Sequence, residues 1–158
     1  MNNHLPLYVT SGEPAGIGPD ICLDLAMRQD QRPIVVLADK GLLQQRAQKI
    51  GKDVQLIDYT DQIEPSQQGQ LYVQHIPLNV PVVDGQLDAK NADYVIRQLS
   101  FAADAALNGT SAGVITAPVQ KSVINDAGLE FSGHTEFFQE KAGVPRVVMM
   151  LATPNLRV

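Results

Sequence analysis

From Pro33 to Ala38 the chain reads Pro-Ile-Val-Val-Leu-Ala, apolar at every position. A strand with one face in water alternates apolar and polar side chains, whereas one that is apolar throughout is buried on both faces. The fold must therefore cover this strand above and below. The neighbouring sequence supplies the cover. Leu5 to Thr10 is a short β-rich run. Gly18 to Gln29 follows as a helix, with Pro19 in its first turn, Asp20 beside its positive end, and Ile21, Leu25 and Ala26 at helical spacing. Asp39 is positioned to cap a helix over Lys40 to Ile50, which Gly51 ends. Val54 to Tyr59 is a third strand. This alternation predicts an α/β domain: helical layers on a mostly parallel sheet.

The rest of the chain extends the pattern. Thr60 to Gln70 is polar and turn-rich, a loop or a break between substructures. Leu71 to Val83 has β character but contains Pro77 and Pro81, which suggests edge strands. Leu87 to Gly109 is the clearest helix. Its stripe is Ala92, Val95, Ile96, Leu99, Ala103, Ala106 and Leu107, and Asn108-Gly109 stops it. Ala112 to Pro118 is a strand, Thr135 to Gly143 a short helix, and Val144 to Thr153 a final strand. Because the chain stops just after that apolar run, we expect it to be a truncated part of a larger protein.

Charge and cysteine content exclude several functions. The net charge of −5, with basic residues scattered, argues against nucleic-acid binding. The single cysteine, Cys22, allows no internal disulfide and no cysteine-rich zinc site; on an apolar helix face it is a small core residue. No apolar run is long enough to span a bilayer and no signal peptide is evident, so we expect a cytoplasmic protein without a membrane partner. His4, His75 and His134 show no metal-ligand spacing, so no metal residue is assigned in this chain.

The segment Thr-Ser-Gly-Glu-Pro-Ala-Gly-Ile-Gly-Pro-Asp, Thr10 to Asp20, has the composition of a phosphate-binding loop. It matches neither standard version. Counted from Gly12, the second glycine of a Walker loop falls on Ile17, and no Lys-Ser/Thr follows. The dinucleotide fingerprint begins at Gly16-Ile17-Gly18, but its third glycine falls on Ile21. The segment serves equally as a stiff strand-to-helix connection or as an anion site on the N–H groups near Asp20 and Ile21, with Glu13 the acid inside the turn.

Two further strand-end segments carry chemistry. Thr116 to Gly128 brings Thr116, Lys121, Asn125 and Asp126. A lysine there grips a phosphate or carboxylate, serves as an acid/base, or is simply solvated. Phe131 to Glu140 places His134 and Thr135 at a helix start, with Ser132 or Thr135 as cap and Glu136 in the first turn. That arrangement suits a phosphate or hydroxyl ligand, and equally a capping segment whose histidine packs.

Together, "TSGEPAGIGPD", "ITAPVQKSVINDAG" and "FSGHTEFFQEKAGVPRVVMMLAT" resemble the 4-hydroxythreonine-4-phosphate dehydrogenases of pyridoxal phosphate biosynthesis, in order and over nearly the whole chain. The resemblance implies a two-domain α/β fold of the isocitrate and isopropylmalate dehydrogenase type, with residues 1–158 as its N-terminal part. It implies oxidation of 4-phosphooxy-L-threonine with NAD or NADP, and decarboxylation of the product to 3-amino-2-oxopropyl phosphate. It also implies a divalent metal (zinc, magnesium or cobalt) acting as a Lewis acid, and a homodimer. The substrate-binding pair carries over to His134 and Thr135. Glu13, Lys121 and Asp126 are further cleft candidates. No catalytic residue is assigned, and the metal histidines and most cofactor contacts fall beyond Val158, so the chain alone should be inactive. A dehydrogenase of a related four-carbon acid phosphate, phosphothreonate or phosphoerythronate, is an alternative. So is a non-catalytic domain that binds an anionic metabolite.

Overall fold

The computed structural model describes residues 5–28, 32–60 and 64–158. Five strands form one sheet: β1 (Leu7–Thr10), β2 (Ile34–Ala38), β3 (Gln55–Asp58), β4 (Gln70–His75) and β5 (Gly113–Thr116). Their order is β3-β4-β2-β1-β5, and every pairing is parallel. The helices are α1 (Gly18–Asp24), α2 (Lys40–Lys49), α3 (Ala92–Leu107), α4 (Lys121–Asp126) and α5 (His134–Ala142).

The apolar run that opened the sequence is β2, buried at all five positions in the middle of the sheet. Successive strand residues face opposite sides, and β2 divides accordingly. Val35 and Leu37 join Tyr8, Tyr94, Val95, Leu99, Ile124 and Phe131 in one core cluster. Ile34, Val36 and Ala38 join Val9, Cys22, Leu23, Leu43 and Ala47 in the other. Thus α1 and α2 cover one face, and α3, α4 and α5 the other. Each fully buried aliphatic side chain here contributes on the order of 1.5–3 kcal/mol.

Local signals act as the sequence predicts. The Asp39 carboxylate accepts the Leu42 N–H at 2.9 Å and caps α2. Pro19 stands in the first turn of α1. Asn108 ends α3 ahead of Gly109, whose φ of +72° a residue with a side chain rarely adopts.

Four expectations need correction. The first helix ends at Asp24 and tightens into a 3₁₀ turn over Leu25–Met27; residues 29–31, where its predicted end falls, lie outside those described. β4 is interior, flanked by β3 and β2, because Pro77 and Pro81 fall after its last residue and cost it no ladder bond. The apolar stripe of α3 turns further than its sequence suggests: Tyr94 and Gln98 are buried, whereas Ala106 and Leu107 are exposed. Finally, Val144 to Thr153 forms no strand of the sheet. No described strand lies beside it to complete a ladder, and Val148 and Met149 are 82% and 70% exposed. A single bridge, Ala152 to Arg157, folds the chain back on itself. α4 was not anticipated.

The two leucines of α3 separate packing from pattern. Leu99 is fully buried and Leu107 is 55% exposed. Leu99→Ala should cost about 2–5 kcal/mol in urea unfolding, and Leu107→Ala within about 0.5 kcal/mol.

Candidate functional site

β1 and β5 pair in register, so Thr10 stands level with Thr116. From there the two connections diverge. The chain after β1 runs to α1 on one face, and the chain after β5 runs to α4 on the other. A divergence of this kind is where open α/β sheets bind ligands.

The glycine loop is built against this point. Glu13 N–H donates to Pro118 O at 3.0 Å, which ties the two connections together. A Cβ on Gly12 (φ +69°) would stand 2.3 Å from Pro118 O, and one on Gly18 only 1.9 Å from Ser11 O. These glycines are required by close backbone approach. Most of the loop's N–H groups are spent internally. Ser11 and Gly12 donate to Gln98 Oε1 at 2.7 and 3.2 Å. Ala15 donates to Glu13 Oε1 at 3.1 Å, and Gly16 to Glu13 O at 3.0 Å. Pro14 has no N–H to give. Thus these groups are not available to cradle a phosphate. The Ile21 N–H is likewise taken by Ile17 O, and the Asp20 carboxylate occupies that turn.

Three side chains that the sequence did not single out hold the loop. Gln98 and Tyr94, both buried on α3, reach it from one face. Gln98 Nε2 donates back to Gly12 O at 3.3 Å, and the Tyr94 hydroxyl shares a 2.9 Å bond with Ser11 Oγ. Arg46 reaches it from α2 on the other face. Its Nη2 donates to Pro14 O at 3.2 Å and Gly16 O at 3.0 Å, and its Nη1 to Asp20 at 3.1 Å. Arg46 Nε lies 3.0 Å from Asp84, which also pairs with Lys49; chiefly through that hydrogen bond, the Asp84 carboxyl is held below its ordinary range. A polar residue inside an apolar helical stripe, such as Gln98, is the signal that could have marked one of the three.

Glu13 is only 6% exposed. Burial raises its pKa above the ordinary carboxylate value, and the Ala15 N–H offsets part of that rise. It borders a small cavity of about 110 Å³ walled by Pro14, Pro81, Val83, Asp88 and Asn91, among others, but not by Lys121 or His134.

The third segment meets the second. A Cβ on Gly133 would stand 3.2 Å from Lys121 Nζ, so the lysine of α4 reaches the residue that precedes His134. The His134 ring lies edge-on to Phe131 and stacked on Phe138, with centroids 6.0 and 6.3 Å away. Its Nε2 is buried without a hydrogen-bond partner. Burial, and next the Lys121 charge, lower its pKa below the ordinary value, which favours the neutral ring. Thr135 follows, half-buried, in the first turn of α5. Neither Ser132 nor Thr135 caps that helix. The cap position is Gly133, which has no side chain, so no side chain takes the first N–H groups.

The other candidates do not join this group. Asp126 is exposed at the end of α4, and among the described residues no hydrogen bond or ion pair links it to Lys121 or His134. Asn125 is structural: its amide accepts from Phe131 N–H at 2.8 Å and donates to Phe131 O at 3.2 Å. His75 Nδ1 accepts the Lys40 N–H at 3.3 Å. His4 lies outside the described residues. Cys22 is buried, its thiol pushed up to about 12 by desolvation. Among the described residues no three His, Cys, Asp or Glu side chains gather to hold a metal.

Known proteins share this fold. Residues 29–158 match the family described as pyridoxal phosphate biosynthetic protein PdxA. The chain belongs to this family. It is 51% identical over 153 residues to the 4-hydroxythreonine-4-phosphate dehydrogenase of Vibrio cholerae, covering 96% of this chain and 46% of that protein. It is also 51% identical over 161 residues to the enzyme of the same name from Stutzerimonas stutzeri, covering all of this chain and 49% of that one. The chain therefore spans about half the length of the curated relatives it matches. The crystal structure of the Klebsiella pneumoniae 4-hydroxythreonine-4-phosphate dehydrogenase superposes with a TM-score of 0.88 at 27% identity, covering 97% of this chain and 49% of that one. The Burkholderia phymatum enzyme of the same name gives 0.87 at 26%, covering 99% and 49%.

Glu13 offers a test by pH. Its raised pKa means the folded state holds the proton more tightly than the unfolded one. Stability from this group is full below the unfolded value of 4.5 and falls as pH rises through the folded pKa. Glu13→Gln keeps an oxygen for the Ala15 N–H and cannot ionise. It should raise the melting temperature at pH 7, and the gain should shrink as pH falls toward 4.5.

Proposed function

We propose that this chain forms the substrate-binding N-terminal part of a dehydrogenase that oxidises 4-phosphooxy-L-threonine with NAD or NADP. The product, 2-amino-3-oxo-4-phosphooxybutanoate, loses carbon dioxide to give 3-amino-2-oxopropyl phosphate, on the route to pyridoxine phosphate. The observation that carries the reading is His134 and Thr135 at the start of α5, with Lys121 of α4 reaching the preceding Gly133, in a chain of this family.

The chain's own residues account for binding. A neutral imidazole at His134 donates or accepts a hydrogen bond without a charge of its own. The Thr135 hydroxyl adds a second donor, and the uncapped N–H groups of the α5 first turn favour an anion. A divalent metal and a nicotinamide, neither held by residues of this chain, would supply Lewis-acid polarisation of the secondary alcohol and hydride acceptance. The residues described here do not assemble a metal site, and the N–H groups of Ser11, Gly12, Glu13, Ala15 and Gly16 are already hydrogen-bonded within the protein. We therefore assign metal and nicotinamide binding to the length of the relatives that this chain does not span. The exposed apolar side chains of Val148 to Leu151 fit a face covered in the assembled protein, which we take to be a homodimer in the cytoplasm. No helix among the described residues is long and apolar enough to cross a membrane.

NAD(P)H formation by the full-length protein with 4-phosphooxy-L-threonine and a divalent metal tests the reading, with phosphothreonate and phosphoerythronate run in parallel. Turnover should be highest with the amino-acid phosphate. His134→Ala should lower kcat/KM by roughly 10- to 100-fold while the circular dichroism spectrum persists. Unchanged kinetics in that variant would refute the binding role.

A further inference from the structure

We propose that Lys121 is a second ligand for the substrate's phosphoryl group, binding it together with His134. The proposal rests on the reading of His134 as a substrate ligand, and it adds a charge-bearing residue that determines specificity for the phosphorylated form.

The geometry brings the two side chains together from different elements. Lys121 opens α4 directly beyond β5, whereas His134 opens α5. The chain between them turns back through Phe131, which Asn125 fastens to α4 by two hydrogen bonds. The Lys121 ammonium therefore arrives beside Gly133, 3.2 Å from where a Cβ would stand. Gly133 leaves that space open. Glu136 Oε2 borders the same point from the other side, at 2.9 Å.

Lys40, Lys49, Lys52 and Lys141 each pair with an aspartate, and Lys90, like Lys121, does not. Among the described residues Lys121 forms no ion pair, with Glu136 or any other carboxylate. It is a full positive charge beside an imidazole whose Nε2 is buried without a partner. A buried, unpartnered nitrogen is a cost that a native fold seldom carries without a use.

A phosphate monoester answers both features. It carries close to two negative charges near pH 7 and presents three acceptor oxygens. One oxygen takes the charge-assisted bond from Lys121, and another the imidazole N–H. The lysine also offsets Glu136, whose carboxylate would otherwise face the phosphate alone. A neutral hydroxyl in place of the phosphate would gain little from Lys121, so the lysine discriminates by charge.

The test uses the full-length protein with Lys121→Met, Lys121→Arg and His134→Ala. Inorganic phosphate binding is followed by calorimetry, and kcat and KM are measured with 4-phosphooxy-L-threonine. Lys121→Met should weaken phosphate binding and raise KM by about tenfold or more, with a smaller change in kcat. Lys121→Arg should recover most of the loss, and the salt dependence of KM should flatten in Lys121→Met. If Lys121→Met leaves both quantities unchanged while His134→Ala weakens them, the lysine has no such role and the dehydrogenase reading stands. If neither variant alters them, both ligand roles fall, and the dehydrogenase reading is judged on turnover alone. A loss in Lys121→Met that Arg does not recover, with the salt dependence unchanged, overturns the charge role.

Discussion

The Gln98 amide is fully buried at the end of the sheet, and it takes over where the β-ladder stops. Beyond Thr10 the backbone leaves the strand inside the protein, where an unpaired N–H costs on the order of a lost hydrogen bond. Gln98 accepts from Ser11 and Gly12 and donates back to Gly12 O. One side chain thereby replaces a missing strand partner and allows the chain to turn toward α1. Tyr94, one turn earlier on the same helix, adds bonds to Ser11 and to the Asp39 N–H. α3 therefore fixes the exits of both β1 and β2.

Arg46 does the corresponding work from the opposite face. Its guanidinium joins two loop carbonyls to Asp20 and Asp84. A buried ion pair contributes little net stability once desolvation is counted, but its geometry admits few alternatives. Its consequence here is a single conformation for a loop rich in glycine. Gln98, Arg46 and Pro118 occupy polar groups of the loop, whereas among the described residues His134 Nε2 has no hydrogen-bond partner and Lys121 no ion pair.

Much of this was legible in the sequence. The continuous apolar run of β2, the Asp39 cap, Pro19 and the Asn108-Gly109 stop act through neighbours a few residues away, so their effects can be read locally. The failure of the glycine loop to match either phosphate fingerprint was visible from spacing alone. His134 and Thr135 were marked by a helix start and by family resemblance. Less local features were hidden. The interior place of β4 depends on which strands flank it, and the burial of Gln98 on what α3 faces. The apolar Val144 to Thr153 reads as a strand, yet a strand exists only where another offers its edge.

The sequence by itself determined the element types, the two-faced burial of the central strand and the family to which the chain belongs, because periodicity, caps and motifs are properties of short stretches. Only the tertiary structure decided that Glu13 is enclosed in a small cavity away from His134, that Asp126 stands apart, and that Lys121 meets Gly133 across two helices. Those relations join residues distant in sequence, and the parallel pairing of β1 with β5 sets them: it fixes where each connection leaves the sheet and therefore which side chains converge.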